Sequence, residues 1–255
     1  MTSQDEFAPT RSFVRSWLPW LIAAAALVIY AATLNHWVTA ESVVYVSRIG
    51  DWDWQPGLFP PAYYLVTAPF RLLPANVLPV ALNLFSAVCA TLTLALLARS
   101  VALLPHDRTH EQREQEKNES GLLSIRLAWL PPVFAALVCG LQLTFWENAV
   151  AASSEMFELL LFACVIRCLL EYRIDPRDSW LTKLAIVYGA GMANNWPMIA
   201  FFPFLIVALI WIKGRAFFDL NFVLRMVAWG LLGFSLILLL PIIFTVSGDS
   251  PWGFW

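Results

Sequence analysis

Long uncharged stretches dominate this chain, and its polar residues are gathered into the short intervals between them. Trp17 to Leu34, Leu72 to Ala98, Leu127 to Trp146 and Val223 to Val246 each approach the roughly 20 apolar residues that carry a helix across about 30 Å of hydrocarbon. Arg225 stands near the start of the last. Ala149 to Leu170 is less uniform, with Glu155 and Glu158 early and Arg167 late, which suits a span whose outer end is wet and whose inner end snorkels. Leu184 to Ile212 is uncharged for 29 residues, but Ala193-Asn194-Asn195-Trp196-Pro197 interrupts it. That interruption admits a single tilted helix or two short helices hinged at Asn194 to Pro197.

Charge chooses between the two. With a hinged hairpin, all of the 16 Lys and Arg except Arg48 and Arg71 fall on one side of the membrane, the cytoplasmic side by the positive-inside rule. A single helix would carry Lys213, Arg215 and Arg225 to the other side. The predicted fold is therefore all-α, a polytopic transmembrane bundle of about seven segments. The expected order is a cytoplasmic tail (1–16), a first span (17–34), an extracytoplasmic loop (35–71), a second span (72–104), a charged cytoplasmic loop (105–126), a membrane bundle (127–246) and an extracytoplasmic end (247–255). Two arginines precede the first span and no small-residue cleavage pattern follows it, so it reads as an uncleaved anchor. The expected location is multi-pass in a bacterial inner (plasma) membrane, with the N-terminus cytoplasmic and membrane lipids as partners.

Composition agrees with that class. Of 255 residues, 60% are hydrophobic and 13% charged, and the mean hydropathy is +0.67. The net charge of -2 and the dispersed basic residues give no footing for nucleic acid. Cys89, Cys139, Cys164 and Cys168 lie inside apolar runs without metal-ligand spacing and read as small hydrophobes. His106 and His110 share a spacing of four but lack carboxylate or thiol company, so no metal site is expected.

The loop from Asn35 to Arg71 is too aromatic to float in water, and its rings are expected at the lipid headgroup level. Glu41-Ser-Val-Val-Tyr-Val-Ser-Arg-Ile-Gly50 predicts one short interfacial helix, and Pro60-Pro61 opens a second. A carboxylate beside such a platform serves as a general base, orients a cationic group or holds a metal. Glu41 equally pairs with Arg48 or faces water, and Asp51 and Asp53 read as turn chemistry. Asn194 and Asn195 are costly if left unpaired at a helix junction, so they are expected to bind the loop, backbone or a ligand. Glu155 and Glu158 read either as helix N-terminal capping or as ligand contacts.

Four stretches in order resemble the protein O-mannosyltransferase-like membrane proteins of the GT-C glycosyltransferase superfamily. They are Trp37-Val38-Thr39-Ala40-Glu41, Phe59-Pro60-Pro61-Ala62-Tyr63, Thr144-Phe145-Trp146 with Ala149-Val150, and Gly191-Met192-Ala193-Asn194-Asn195 leading to Pro203. The family patterns are W-D-S-G-E, H-P-P-G-Y, T-F-W-x-x-A-V-x-A-E-V-Y and G-L-G-N-H. Val38 stands for the family Asp, Phe59 for the first His and Asn195 for the second. Glu155 reaches the acidic position with two residues inserted.

The resemblance implies an enzyme that takes a sugar from a polyprenyl-phosphate donor, with no other cofactor, and passes it to an extracytoplasmic protein or lipid acceptor. It implies Glu41 as catalytic base, with Arg48, Pro60, Pro61, Tyr63, Arg71, Glu155, Asn194 and Asn195 as the substrate-binding set. The three departures open an alternative, a catalytically inactive membrane scaffold or assembly subunit that binds a membrane-protein partner. Relatives usually continue through further spans and a soluble portion, so a fragment or a short form is expected.

Overall fold

Apolar runs punctuated by proline become helices that start where proline permits. The computed structural model describes residues 13–52, 59–104 and 129–241, and every element among them is helical. After a π-helical turn at Phe13–Trp17 come α1 (Leu18–Ala32), α2 (Val43–Ile49), α3 (Pro61–Thr67), α4 (Leu78–Leu103), α5 (Leu130–Gly140), α6 (Leu143–Val150), α7 (Ser154–Ile174), α8 (Asp178–Asn194), α9 (Phe202–Lys213) and α10 (Leu220–Phe234). Short 3-10 segments flank α3, α9 and α10. Helices α1, α3, α4, α5 and α9 all carry proline in their first turn, where its missing N–H would have had no helical partner.

The long helices alternate in direction. The start of α4 meets the ends of α1 and α6 through Asn83, which donates to the Asn35 carbonyl and accepts from the Ala152 N–H, both at 2.7 Å. Its far end meets the end of α7 through Arg99 and Glu171, 2.6 Å apart. At the first end, Glu158 of α7 meets the end of α8, and at the other, Leu181 of α8 packs beside Tyr172. Phe202, opening α9, stacks on Tyr188, and Lys213, closing it, lies over Phe222 and Tyr172. The chain therefore reverses at Asn195, as the charge argument required. Arg225 of α10 pairs with Asp178 at 2.6 Å and Phe234 reaches Trp196, so α10 runs back.

Among the described residues three helical stretches are long and apolar enough to cross a membrane: Leu78–Leu103, Trp196–Phe218 and Leu220–Pro241. A fourth is counted if α5 and α6 form one span. The first is 56% buried against its neighbours, while the others are 17% and 6% buried, so α4 is the hub and α9 and α10 present broad apolar faces. Helix α1 is apolar but has 15 residues, and α7 carries Glu155, Glu158, Arg167 and Glu171.

Two expectations are corrected here. The run from Leu127 to Trp146 is not one straight span, because α5 and α6 meet at 72°. Tyr30 donates to the Gly140 carbonyl at 2.8 Å, satisfying an acceptor that the end of α5 leaves without a helical partner, and a Cβ on Gly140 would stand 2.8 Å from Leu94. Nor do the loop aromatics all stay on the surface. Tyr63 and Phe59 are buried in an aromatic cluster with Tyr45, Phe85 and Phe157, while Trp37 and Trp52 stay exposed. Burying a ring of this size contributes about 2 kcal/mol, more than an interface offers, so the cluster wins. Within the second apolar run the helix covers Leu78–Leu103, and Leu72 to Val77 are exposed. Residues 1–12 of the N-terminal tail, Asp53, the charged loop with His106 and His110, and the C-terminal end lie outside the described residues.

Candidate functional site

Both short helices predicted for the first loop form, and they sit on the same end of the bundle as the α8 terminus. Helix α3 begins with Pro60 as its extended N-cap and Pro61 as its first residue, so Ala62 and Tyr63 are the early N–H groups left to satisfy. Asn194 satisfies one of them from α8, its Oδ1 accepting from the Tyr63 N–H at 2.9 Å. Its Nδ2 donates to Oε1 of Glu158 at 3.0 Å, and Asn195 Nδ2 donates to the other carboxylate oxygen. A chain of bonds thus runs from α7 through α8 into the loop.

Beside this chain, Tyr45 of α2 shares a 3.0 Å hydrogen bond with Ser154, the first residue of α7. Burial pushes the Tyr45 phenol up, Glu155 adds to the rise, and the Ser154 bond opposes it. Burial pushes Tyr63 up as well. Both phenols are held protonated at neutral pH, so neither serves as a base. Arg71 closes the outer edge of the loop: Nη1 donates to the Tyr64 hydroxyl at 3.0 Å, Nε to the Ile49 carbonyl at 3.3 Å, and Nη2 faces Asp51 at 3.3 Å.

The proposed residues therefore divide into groups. Pro60, Pro61, Tyr63, Asn194 and Asn195 come together around α3, joined by Glu158. Glu158 is not in the substrate-binding set that the resemblance implies, and its signal in the sequence is its place three residues after Glu155 on the same helix. Arg71 belongs to the loop edge. Arg48 is 1% exposed, a fully buried cation on α2. Glu41 lies in the turn before α2, exposed, and among the described residues makes no hydrogen bond or ion pair. Glu155 is exposed and borders a cavity of about 390 Å3 with Gln142, Thr144 and Asn148 at one end and Leu97, Phe162 and Ile166 beyond.

The departures from the family patterns have structural uses. Phe59 packs edge-on against Tyr45 and Tyr64, Val38 packs against the same core, and Asn195 binds Glu158. Asn83, which ties the loop after α1 to the α6–α7 junction, escaped sequence reasoning because a lone Asn inside an apolar run carries no periodic signal. Among the described residues no three His, Cys, Asp or Glu side chains gather closely enough to hold a metal ion.

At the opposite end the charges change sign. Arg99 and Arg167 face Glu171 at 2.6 and 3.7 Å, Lys183 lies over Trp180, Arg173 over Trp211 and Lys213 over Phe222. Cations resting on aromatic rings at the end of an apolar bundle form an interfacial belt.

No curated protein and no solved structure matches this chain. A family model described as the Protein O-mannosyl-transferase TMEM260 N-terminal domain matches residues 54–216. That range takes in α3, Arg71, Glu158 and both asparagines, and it begins after Glu41 and Arg48. It covers more than half of the 255 residues, and the chain belongs to the protein O-mannosyl-transferase TMEM260 N-terminal domain family.

Proposed function

We propose that this chain is the membrane portion of a GT-C glycosyltransferase that moves a sugar, a mannose by the family's description, from a polyprenyl-phosphate donor to an acceptor hydroxyl on the extracytoplasmic side. The family match carries this reading. Supporting it is the gathering of acid, amide and aromatic groups at one end of an apolar bundle. A lipid-linked donor keeps its phosphate in the headgroup plane and its tail in hydrocarbon, so transfer is confined to such a rim.

In the transfer, an acceptor oxygen bonds to the anomeric carbon while the bond from that carbon to the phosphate oxygen breaks. The electron pair leaves with the polyprenyl phosphate and the acceptor proton passes to a carboxylate. Glu41 is our choice for that carboxylate, because it is exposed, whereas Glu158 has both oxygens occupied by carboxamides. Arg71, at the loop edge, is the cation that steadies the departing phosphate. Glu158, Asn194 and Asn195 hold α3 beneath the substrate. The belt of cations faces the cytoplasm, the N-terminus lies there too, and all seven alternating passes cross a bacterial inner membrane.

The test is incubation of the purified full chain with polyprenyl-phosphate mannose and a Ser/Thr-containing acceptor peptide. Glu41→Gln should lower the rate by about 100-fold or more while leaving the thermal midpoint unchanged. Equal rates would remove Glu41 from the role, and absence of transfer from any polyprenyl-phosphate sugar by the unaltered chain would remove the enzymatic reading.

A further inference from the structure

Away from the acidic end, a groove of about 450 Å3 opens between α8, α9 and α10. Its cause lies in how the three helices meet. Helices α8 and α10 cross backbone to backbone, since a Cβ on Gly189 would stand 2.1 Å from the Gly230 carbonyl oxygen and one on Gly233 2.1 Å from that of Ile186. Helix α9 joins them through the side chains of Phe202, Leu205 and Leu209. The unequal spacing leaves a slot walled by Tyr188, Met192, Leu205, Ile206, Met226 and Val227.

The walls are apolar over nearly their whole extent, so water has no partners there and a hydrocarbon chain recovers the dispersion contacts that an empty slot forfeits. The two mouths differ. Trp196 and Phe234 stand at one. At the other, Phe217 and Phe222 line the groove, Lys213 Nζ rests 3.6 Å from the Phe222 ring centre, and Arg215 is exposed in the turn that ends on Phe217 and Phe218. Among the described residues Arg215 makes no ion pair.

We infer that this groove is a binding site for an anionic phospholipid, with one acyl chain lying along α9 and the headgroup phosphate met by Lys213 and Arg215. The tail requires the apolar slot, and the sign of the headgroup follows from the positive excess at this end, where Asp178 is already paired with Arg225 and Asp219 caps α10, leaving Lys213 and Arg215 for the headgroup charge. The site is independent of sugar transfer.

Native mass spectrometry of the purified full chain in detergent, titrated with phosphatidylglycerol or phosphatidylcholine, tests it. The unaltered chain should bind one phosphatidylglycerol about tenfold more tightly than phosphatidylcholine. Lys213→Gln with Arg215→Gln should abolish the preference while lipid still binds, and Ile206→Trp should fill the slot and lower occupancy by both lipids severalfold. Thermal midpoints confirm that the variants are folded. Equal affinities in the unaltered chain, a preference that survives the double substitution, unchanged occupancy in Ile206→Trp, or a second copy of the chain in place of lipid would each overturn the inference.

Discussion

Asn194, the last residue of α8, does two jobs with one carboxamide. It caps Tyr63 and donates to Glu158, both within a region where water is scarce. Replacing it by Ala leaves an early N–H of α3 and one carboxylate oxygen without their partner, and each such loss costs about 1–3 kcal/mol. Asn194→Ala should therefore lower the thermal midpoint in detergent and raise amide exchange in α3, while Asn148→Ala, which removes only an exposed bond to Thr144, should change neither. Sequence could say that a buried amide pair needs partners. It could not say which carboxylate supplies them, because Glu155 and Glu158 differ by less than one helical turn and only the packing of α7 on α8 turns Glu158 inward.

At the scale of elements, the glycines of α8 and α10 set the shape of the peripheral bundle. With carbonyl oxygens 2.1 Å from where a Cβ would stand at Gly189 and at Gly233, no side chain fits without separating the helices. Gly233→Val should push α10 off α8, lower the thermal midpoint and loosen the Asp178–Arg225 contact. Gly214→Val should lower the thermal midpoint through backbone strain alone and leave the Asp178–Arg225 contact in place, because φ of 60° disfavours a valine but nothing lies within 4 Å of its Cβ. The helix locations followed from apolar runs and first-turn prolines. The 72° bend between α5 and α6 did not, and the bond that holds the end of α5 there, Tyr30 to Gly140, joins residues 110 apart.

Over the whole molecule the two ends differ in charge. The end built from α2, α3 and the start of α7 holds Glu41, Asp51, Glu155 and Glu158 with Arg48 and Arg71, and the other end is ringed by Arg99, Arg167, Arg173, Lys183, Lys213 and Arg225. Single cysteines placed at Glu41 and at Arg215 in a background lacking the four native cysteines should label with an impermeant maleimide from opposite sides of a sealed vesicle. Labelling of both from one side would refute the hairpin at Asn195 or the first crossing. Sequence by itself determined the helical class, the two loop helices, the reversal at Asn195 and the charge asymmetry, since these follow from hydropathy, proline and the sign of each side chain, which are properties of the chain read locally. Only the tertiary structure decided that Glu158 binds both asparagines, that Asn83 ties two loops, that Tyr63 and Phe59 are buried and that α9 leaves a groove. Those outcomes turn on which surfaces meet, and contacts between residues tens of positions apart leave no period in the sequence.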